Sequence, residues 1–169
     1  MTRRAVLLGI AAVAAAATGV GVALRHRPDD PTASLWTVRL PRLGGGELAF
    51  ADLRGKPLLV NFWATWCPPC VTEMPMLARF HRERRAAGWQ IVGIAVDQDE
   101  PVRRFVTERA IDFPIAMARG AGLDLARRLG NEAGGLPFTI AFGPSGTPLG
   151  RKLGALDEAI LTTWASAGG

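Results

Sequence analysis

Cys67 and Cys70 are the only cysteines of the chain, and they stand two residues apart in the run Val60-Asn61-Phe62-Trp63-Ala64-Thr65-Trp66-Cys67-Pro68-Pro69-Cys70. At that spacing one thiolate can attack a partner's disulfide while the second thiol waits within reach to resolve the mixed disulfide. The same spacing can form half of a zinc or copper site. A closed zinc site needs two further Cys or His ligands, and only His26 and His81 are present, His26 beside an apolar N-terminal segment. A purely structural cross-link is disfavoured, because closing so short a loop removes little entropy from the unfolded chain. Reversible redox chemistry is therefore the favoured reading.

The flanking residues predict how the thiols are held. Residues 57–64 form an apolar run of strand length, and a helix is expected from Pro68 onward, with Val71, Met74, Leu77, Ala78 and Phe80 at its apolar positions. A strand that delivers a cysteine to a helix N-terminus aims the free amides and the helix dipole at the thiolate. With Cys67 as the N-cap, Pro68 and Pro69 fill the first two helical positions. Their fixed φ suits the place, but they have no N–H to donate to sulfur. The nearest backbone donor is then that of Cys70, and no cation lies between the cysteines. The expectation is a Cys67 thiolate of moderate stability and a dithiol that gives electrons more readily than it takes them.

The run from Asn61 to Cys70, Glu73-Met74-Pro75 behind it, and Gly135-Leu136-Pro137-Phe138-Thr139 further on resemble the TlpA/ResA-like thiol-disulfide oxidoreductases of the thioredoxin superfamily. The resemblance extends from about Leu35 to the C-terminus. It implies a redox-active Cys67–Cys70 disulfide, with Cys67 as nucleophile and Cys70 as resolving thiol. Glu73 matches a carboxylate that tunes the thiols and relays protons; the plain alternative is an exposed acid in the first turns of a helix, where the dipole favours it. Pro137 matches the superfamily's cis-proline, with Leu136 offering its backbone to an extended substrate and Trp66 sharing the substrate-binding surface. Asn61 stands where ordinary thioredoxins have a buried Asp, so proton handling falls to Glu73 or water. Pro75 lies where the active-site helix bends, as a proline inside a helical pattern does in any case.

Further elements follow from periodicity and turn residues. A hairpin is expected over 35–40 and 47–50 around Gly44-Gly45-Gly46. A strand follows at 90–96, a helix at 101–110, a short strand near 114–117 and a helix at 123–129. Strands at 138–142 and 147–153 flank a Gly-Pro-Ser-Gly turn, and a helix at 156–165 closes the chain. The fold class is α/β: a thioredoxin-like mixed central sheet flanked by helices, with an N-terminal β-hairpin and an inserted strand-helix segment between about Asp97 and Met117. That insert is where substrate choice is expected to reside. Residues 35–169 are read as the domain, and about 140 residues suffice for one proper core.

The N-terminus carries a different signal. Arg3 and Arg4 precede an apolar stretch over 5–24 in which Thr18 is the only polar side chain, and Arg25-His26-Arg27 follows. Twenty helical residues span about 30 Å, enough for a bilayer core. Residues 1–27 are read as a membrane anchor or an export signal, with 28–34 as a polar tether. Small residues at 14–17 offer a cleavage site, but their place inside the apolar run and the basic flank favour an anchor. The start of the chain also resembles a twin-arginine signal, leaving the export route open. By either route the catalytic domain is expected outside the cytoplasm, on the periplasmic side of the inner membrane. Without Arg3, Arg4, Arg25 and Arg27, residues 28–169 hold 16 basic against 15 acidic side chains, which gives no electrostatic footprint for nucleic acid. Arg79, Arg82, Arg84 and Arg85, interleaved with His81 and Glu83, read as a solvated helix face.

Three functions fit these features. The first is a membrane-tethered reductant of protein disulfides. The resemblance implies apocytochrome c or copper-site proteins as substrates and a membrane thiol-disulfide protein as electron donor. The second is an oxidant that introduces disulfides, disfavoured by the Pro-Pro dipeptide. The third is a thiol peroxidase or a copper(I)-binding module. Against the peroxidase, Ala64 and Val60 occupy the places where such enzymes carry Thr and Pro; against the copper module, Met74 and Met76 suit helix packing. No metal or organic cofactor is implied.

Overall fold

The apolar run around Val60 becomes the middle strand of the molecule. The computed structural model describes residues 31–168. Seven strands are described: β1 (Arg39–Pro41), β2 (Glu47–Ala49), β3 (Leu58–Trp63), β4 (Gln90–Ala95), β5 (Ile115–Met117), β6 (Phe138–Phe142) and β7 (Pro148–Leu153). The α-helices are α1 (Pro68–Arg84), α2 (Asp99–Glu108), α3 (Ala121–Arg128) and α4 (Glu158–Gly168). β1 and β2 form an antiparallel hairpin, and the other five strands form a sheet in the order β5-β4-β3-β6-β7. β5, β4 and β3 run parallel, whereas β6 and β7 join antiparallel.

All of β3 is buried, as a parallel strand covered on both faces must be. Its period of two divides the core. Leu59 and Trp63 join Met74 and Leu77 of α1, Val102 of α2, and Leu161 and Trp164 of α4. Leu58, Val60 and Phe62 pack the opposite face with Leu125 of α3, Phe138, Ile140, Phe142 and Leu35. The arginine face of α1 is solvated, with Arg79 paired to Glu158 and Arg82 to Asp112 at 3.3 Å.

The elements expected from the sequence form, with three differences. Residues 35–37 are not the first hairpin strand: Pro31–Thr37 is a 3-10 helix, and the strand is only Arg39–Pro41. Leu35 and Trp36 are neighbours and both buried, which a strand exposed on one face cannot achieve. Residues 31–34 of the expected tether belong to this helix, with Thr32 fully buried. The insert supplies the expected helix and strand, and β5 is an edge strand capped by the hairpin turn, where the Leu43 N–H donates to the Ile115 carbonyl at 3.0 Å. Its helix starts at Asp99 rather than Pro101, placing two acids in the first turn, where the dipole favours them. The anchor or export signal expected over 1–27 lies outside the described residues. Among the described residues no helix is long and apolar enough to cross a membrane.

Candidate active site

Cys67 and Cys70 are joined in a disulfide, with Cα atoms 5.3 Å apart. Cys67 is the N-cap of α1 in extended conformation, and Pro68 and Pro69 occupy N1 and N2. Neither proline can donate to the sulfur, so the site lacks two of the amides that a helix N-terminus ordinarily offers. Cys67 is 5% exposed and Cys70 fully buried, so the first cysteine is the one an incoming sulfur can approach. Trp66, beside it, is 63% exposed.

The turn that presents Cys67 is tied to β4. Both the backbone N–H and the hydroxyl of Thr65 donate to Oδ2 of Asp97, at 2.8 and 2.6 Å. Oδ1 accepts the Gln98 N–H at 2.7 Å. The parallel register pairs Trp63 with Ala95, and two further steps bring Thr65 opposite Asp97. Sequence reasoning missed Asp97; the signal was its distance beyond a strand whose pairing with β3 was not yet known.

Glu73 is 4% exposed, not the exposed acid of the plain alternative. It lies three residues after Cys70, on the same face of α1. Asn61 projects from β3 on the face that also carries Leu59 and Trp63. Its Nδ2 donates to Glu73 Oε1 at 2.7 Å and to Thr139 Oγ1 at 2.9 Å. The N–H of Leu156, in the segment between β7 and α4, donates to Glu73 Oε2 at 2.8 Å. Burial pushes the Glu73 carboxyl above its ordinary range, and the bonds from Leu156 and Asn61 oppose that rise. Beside it, an open groove of about 420 Å³ is lined by Pro69, Thr72, Glu73, Met76, Ala155 and Leu156. Pro75 lies within α1, and Met74 is fully buried in the core.

The Leu136–Pro137 bond is cis. Because Phe62 pairs with Phe138, Pro137 falls at the end of β3 from which the chain departs toward Cys67. Leu136 is half-buried against the cluster that includes both cysteines. The Pro137 carbonyl accepts the N–H of Gly154 at 2.8 Å. Ahead of this pair, the buried Asn131, which sequence reasoning also passed over, donates from Nδ2 to the Gly135 carbonyl at 2.8 Å.

A strand that hands a disulfide to a helix N-terminus, with a cis-proline at the end of its antiparallel neighbour, defines a thioredoxin-fold protein with a dithiol site. The redoxin family pattern matches residues 30–154. Thiol-disulfide oxidoreductase ResA of Halalkalibacterium halodurans is 34% identical over 125 residues, covering 72% of this chain and 68% of that protein. ResA of Bacillus thuringiensis is 35% identical over 79 residues, 46% of each chain, so the match spans about half of that relative's length. Among solved structures, a secreted thiol-disulfide isomerase from Corynebacterium glutamicum aligns with a TM-score of 0.71 at 25% identity, over 78% of this chain and 82% of that one. The chain belongs to the redoxin family, in its ResA-like thioredoxin-fold branch.

Proposed function

We propose that this protein is a thiol-disulfide oxidoreductase that reduces protein disulfides outside the cytoplasm, held at the periplasmic side of the inner membrane by its N-terminal segment. The observation that carries the activity is the Cys67–Cys70 disulfide at the N-terminus of α1, with the buried Glu73 carboxyl one turn further along the same helix face. In the reduced enzyme the Cys67 thiolate attacks one sulfur of a substrate disulfide. A mixed disulfide forms, and the other substrate sulfur leaves as a thiolate that takes up a proton. Glu73, as carboxylate, accepts the proton of Cys70. The Cys70 thiolate then attacks the Cys67 sulfur and expels the second substrate thiolate. Two electrons have passed to the substrate, and the enzyme is left with the disulfide seen here. Trp66, Leu136 and Pro137 form the surface on which the substrate lies.

The direction of electron flow rests on Pro68 and Pro69. A helix N-terminus that withholds two amides stabilises the thiolate form less, and a less stabilised thiolate makes the dithiol a better reductant. A reductant in an oxidising compartment needs a supply of electrons, which we assign to a membrane thiol-disulfide donor. As substrates we propose the disulfides of apocytochrome c haem-site cysteines or of copper-site proteins, which the resemblance to TlpA/ResA-like proteins implies. Export is supported by the apolar stretch over 5–24 between basic flanks and by similarity to a secreted isomerase.

The deciding experiment is the reduction potential of the full chain in glutathione or dithiothreitol buffers, read by tryptophan fluorescence. Trp63 lies in the same cluster as both cysteines and Trp66 adjoins Cys67, so reduction alters the signal. A potential near or below about −230 mV supports the reductant; a value near about −120 mV overturns it in favour of an oxidant. A Cys70→Ser variant is expected to trap substrate on Cys67, and Cys67→Ser to trap none.

A further inference from the structure

We infer that Asn131 is a positioning residue for the substrate: it orients the Leu136 backbone for pairing with an extended polypeptide. It thereby governs exchange with polypeptide disulfides and leaves the chemistry of the dithiol itself unchanged. The inference rests on the proposed role of Leu136 and Pro137 as the substrate surface.

The segment from Gly130 to Leu136 contains three glycines, and two of them adopt left-handed conformations, Gly130 at φ +100° and Gly134 at φ +66°. Glycine supplies no conformational bias of its own, so the shape of this loop has to be imposed by contacts. Asn131 imposes it at three points. Its N–H donates to the Ala126 carbonyl in the last turn of α3 at 3.0 Å, and its carbonyl accepts the Gly134 N–H at 3.0 Å. Its side-chain Nδ2 donates to the Gly135 carbonyl at 2.8 Å. Asn131 is 2% exposed, so these bonds form away from competing water.

The third bond reaches the substrate surface. The Gly135 carbonyl and the Leu136 N–H belong to one planar peptide unit and point in opposite directions. Fixing the carbonyl toward Asn131 fixes the N–H of Leu136 away from it. Among the described residues, neither the N–H nor the carbonyl of Leu136 has a hydrogen-bond partner, whereas its neighbours are engaged, Gly135 by Asn131 and Pro137 by Gly154. An oriented, unpaired backbone unit at a half-buried position is what an extended peptide pairs with when it adds to a sheet edge. The cost of the arrangement points the same way. Among the described residues Oδ1 of Asn131 is buried with no hydrogen-bond partner, so the burial of this amide is offset at Nδ2 alone. The amide justifies its place through the single bond it makes to Gly135.

The test compares two disulfide substrates in the full chain: an extended peptide disulfide and 2-hydroxyethyl disulfide, which has no backbone to pair. Asn131→Leu is expected to lower kcat/KM for the peptide by about three- to tenfold, the loss of one ordinary hydrogen bond, chiefly through KM. The rate with hydroxyethyl disulfide and the reduction potential stay unchanged. Asn131→Ala, which removes the donor without adding bulk, must show the same split. Equal loss with both substrates, loss with neither, or failure of both variants to fold overturns the inference. A peptide N-methylated beside its cysteine tests the underlying surface separately. If the wild type exchanges it as fast as the parent peptide, the Leu136 surface is wrong. If only the N-methylated peptide is slow and the Asn131 variants are normal, the surface stands and the role of Asn131 falls.

Discussion

Replacing Asn61 with Leu isolates the bond that holds the Glu73 carboxylate. Leu keeps the branched shape of Asn with bulkier ends, so no cavity opens and any overpacking cost is the same at every pH, and the unpaired Oδ1 of Asn61 is removed with the amide. What is lost is the 2.7 Å bond to Glu73 and the 2.9 Å bond to Thr139. The Thr139 bond is lost equally at every pH. The Glu73 bond is worth about 1.5–3 kcal/mol when the acceptor is ionised and about 0.5–1.5 kcal/mol when it is neutral. The variant should therefore lose about 1–1.5 kcal/mol more at alkaline pH than at acid pH. The sign follows from burial, which raises the native pKa of Glu73 above its ordinary value of 4.5. A carboxyl raised on folding contributes stability that is complete below its unfolded pKa and is lost as pH climbs through the native one. Removing a bond to the ionised form raises the native pKa further, so in the variant that loss continues to higher pH. Urea unfolding of wild type and variant from pH 4 to pH 9, with the disulfide intact, measures the difference directly. A stability difference that is flat with pH, or larger at pH 4, refutes the assignment of Asn61 as the donor that stabilises ionised Glu73.

Glu73→Gln replaces the titrating group with a neutral one. Wild-type exchange is expected to accelerate as Glu73 ionises above the ordinary carboxylate range, and this limb of the pH–rate profile should vanish in the variant. Asp97→Ala frees the Thr65 N–H and hydroxyl together; we expect a loss of about 1–3 kcal/mol in urea unfolding and slower exchange, because the turn carrying Trp66 and Cys67 is no longer tied to β4. Gly93→Ala places a methyl 2.8 Å from Ile115 Cδ1, 3.0 Å from Trp63 Nε1 and 3.1 Å from Phe113 Cε2. With β-strand backbone on one side and three packed side chains on the other, overpacking should cost about 1–3 kcal/mol, measurable by denaturant titration, and should alter Trp63 fluorescence.

Much of the frame was legible along the chain. The strand over 138–142 matches the observed bounds, and Met74, Leu77 and Ala78 are buried as their helical spacing requires. The N-cap position of Cys67, with two prolines behind it, could be read because capping is set by a few adjacent residues and their fixed dihedrals. The 3-10 helix over Pro31–Thr37 could not, since adjacent apolar residues carry no period that separates it from a strand. The partners of the site were hidden for a different reason. Whether Glu73 is exposed or buried depends on where the segment before α4 comes to rest, and Leu156 is 83 residues away in sequence. Asp97 meets Thr65 only because β3 and β4 pair in parallel at one register, and Asn131 reaches Gly135 only because the end of α3 and the start of β6 bring the loop to closure. The sequence by itself determined the reactive pair, its helix N-terminus and the elements around it, because those depend on local dihedral preference and on the periodicity of apolar residues. Only the packed fold settled that Glu73 is buried, and which side chains hold its carboxyl and the loop before Pro137, because burial and hydrogen bonding between distant segments depend on how the chain packs against itself.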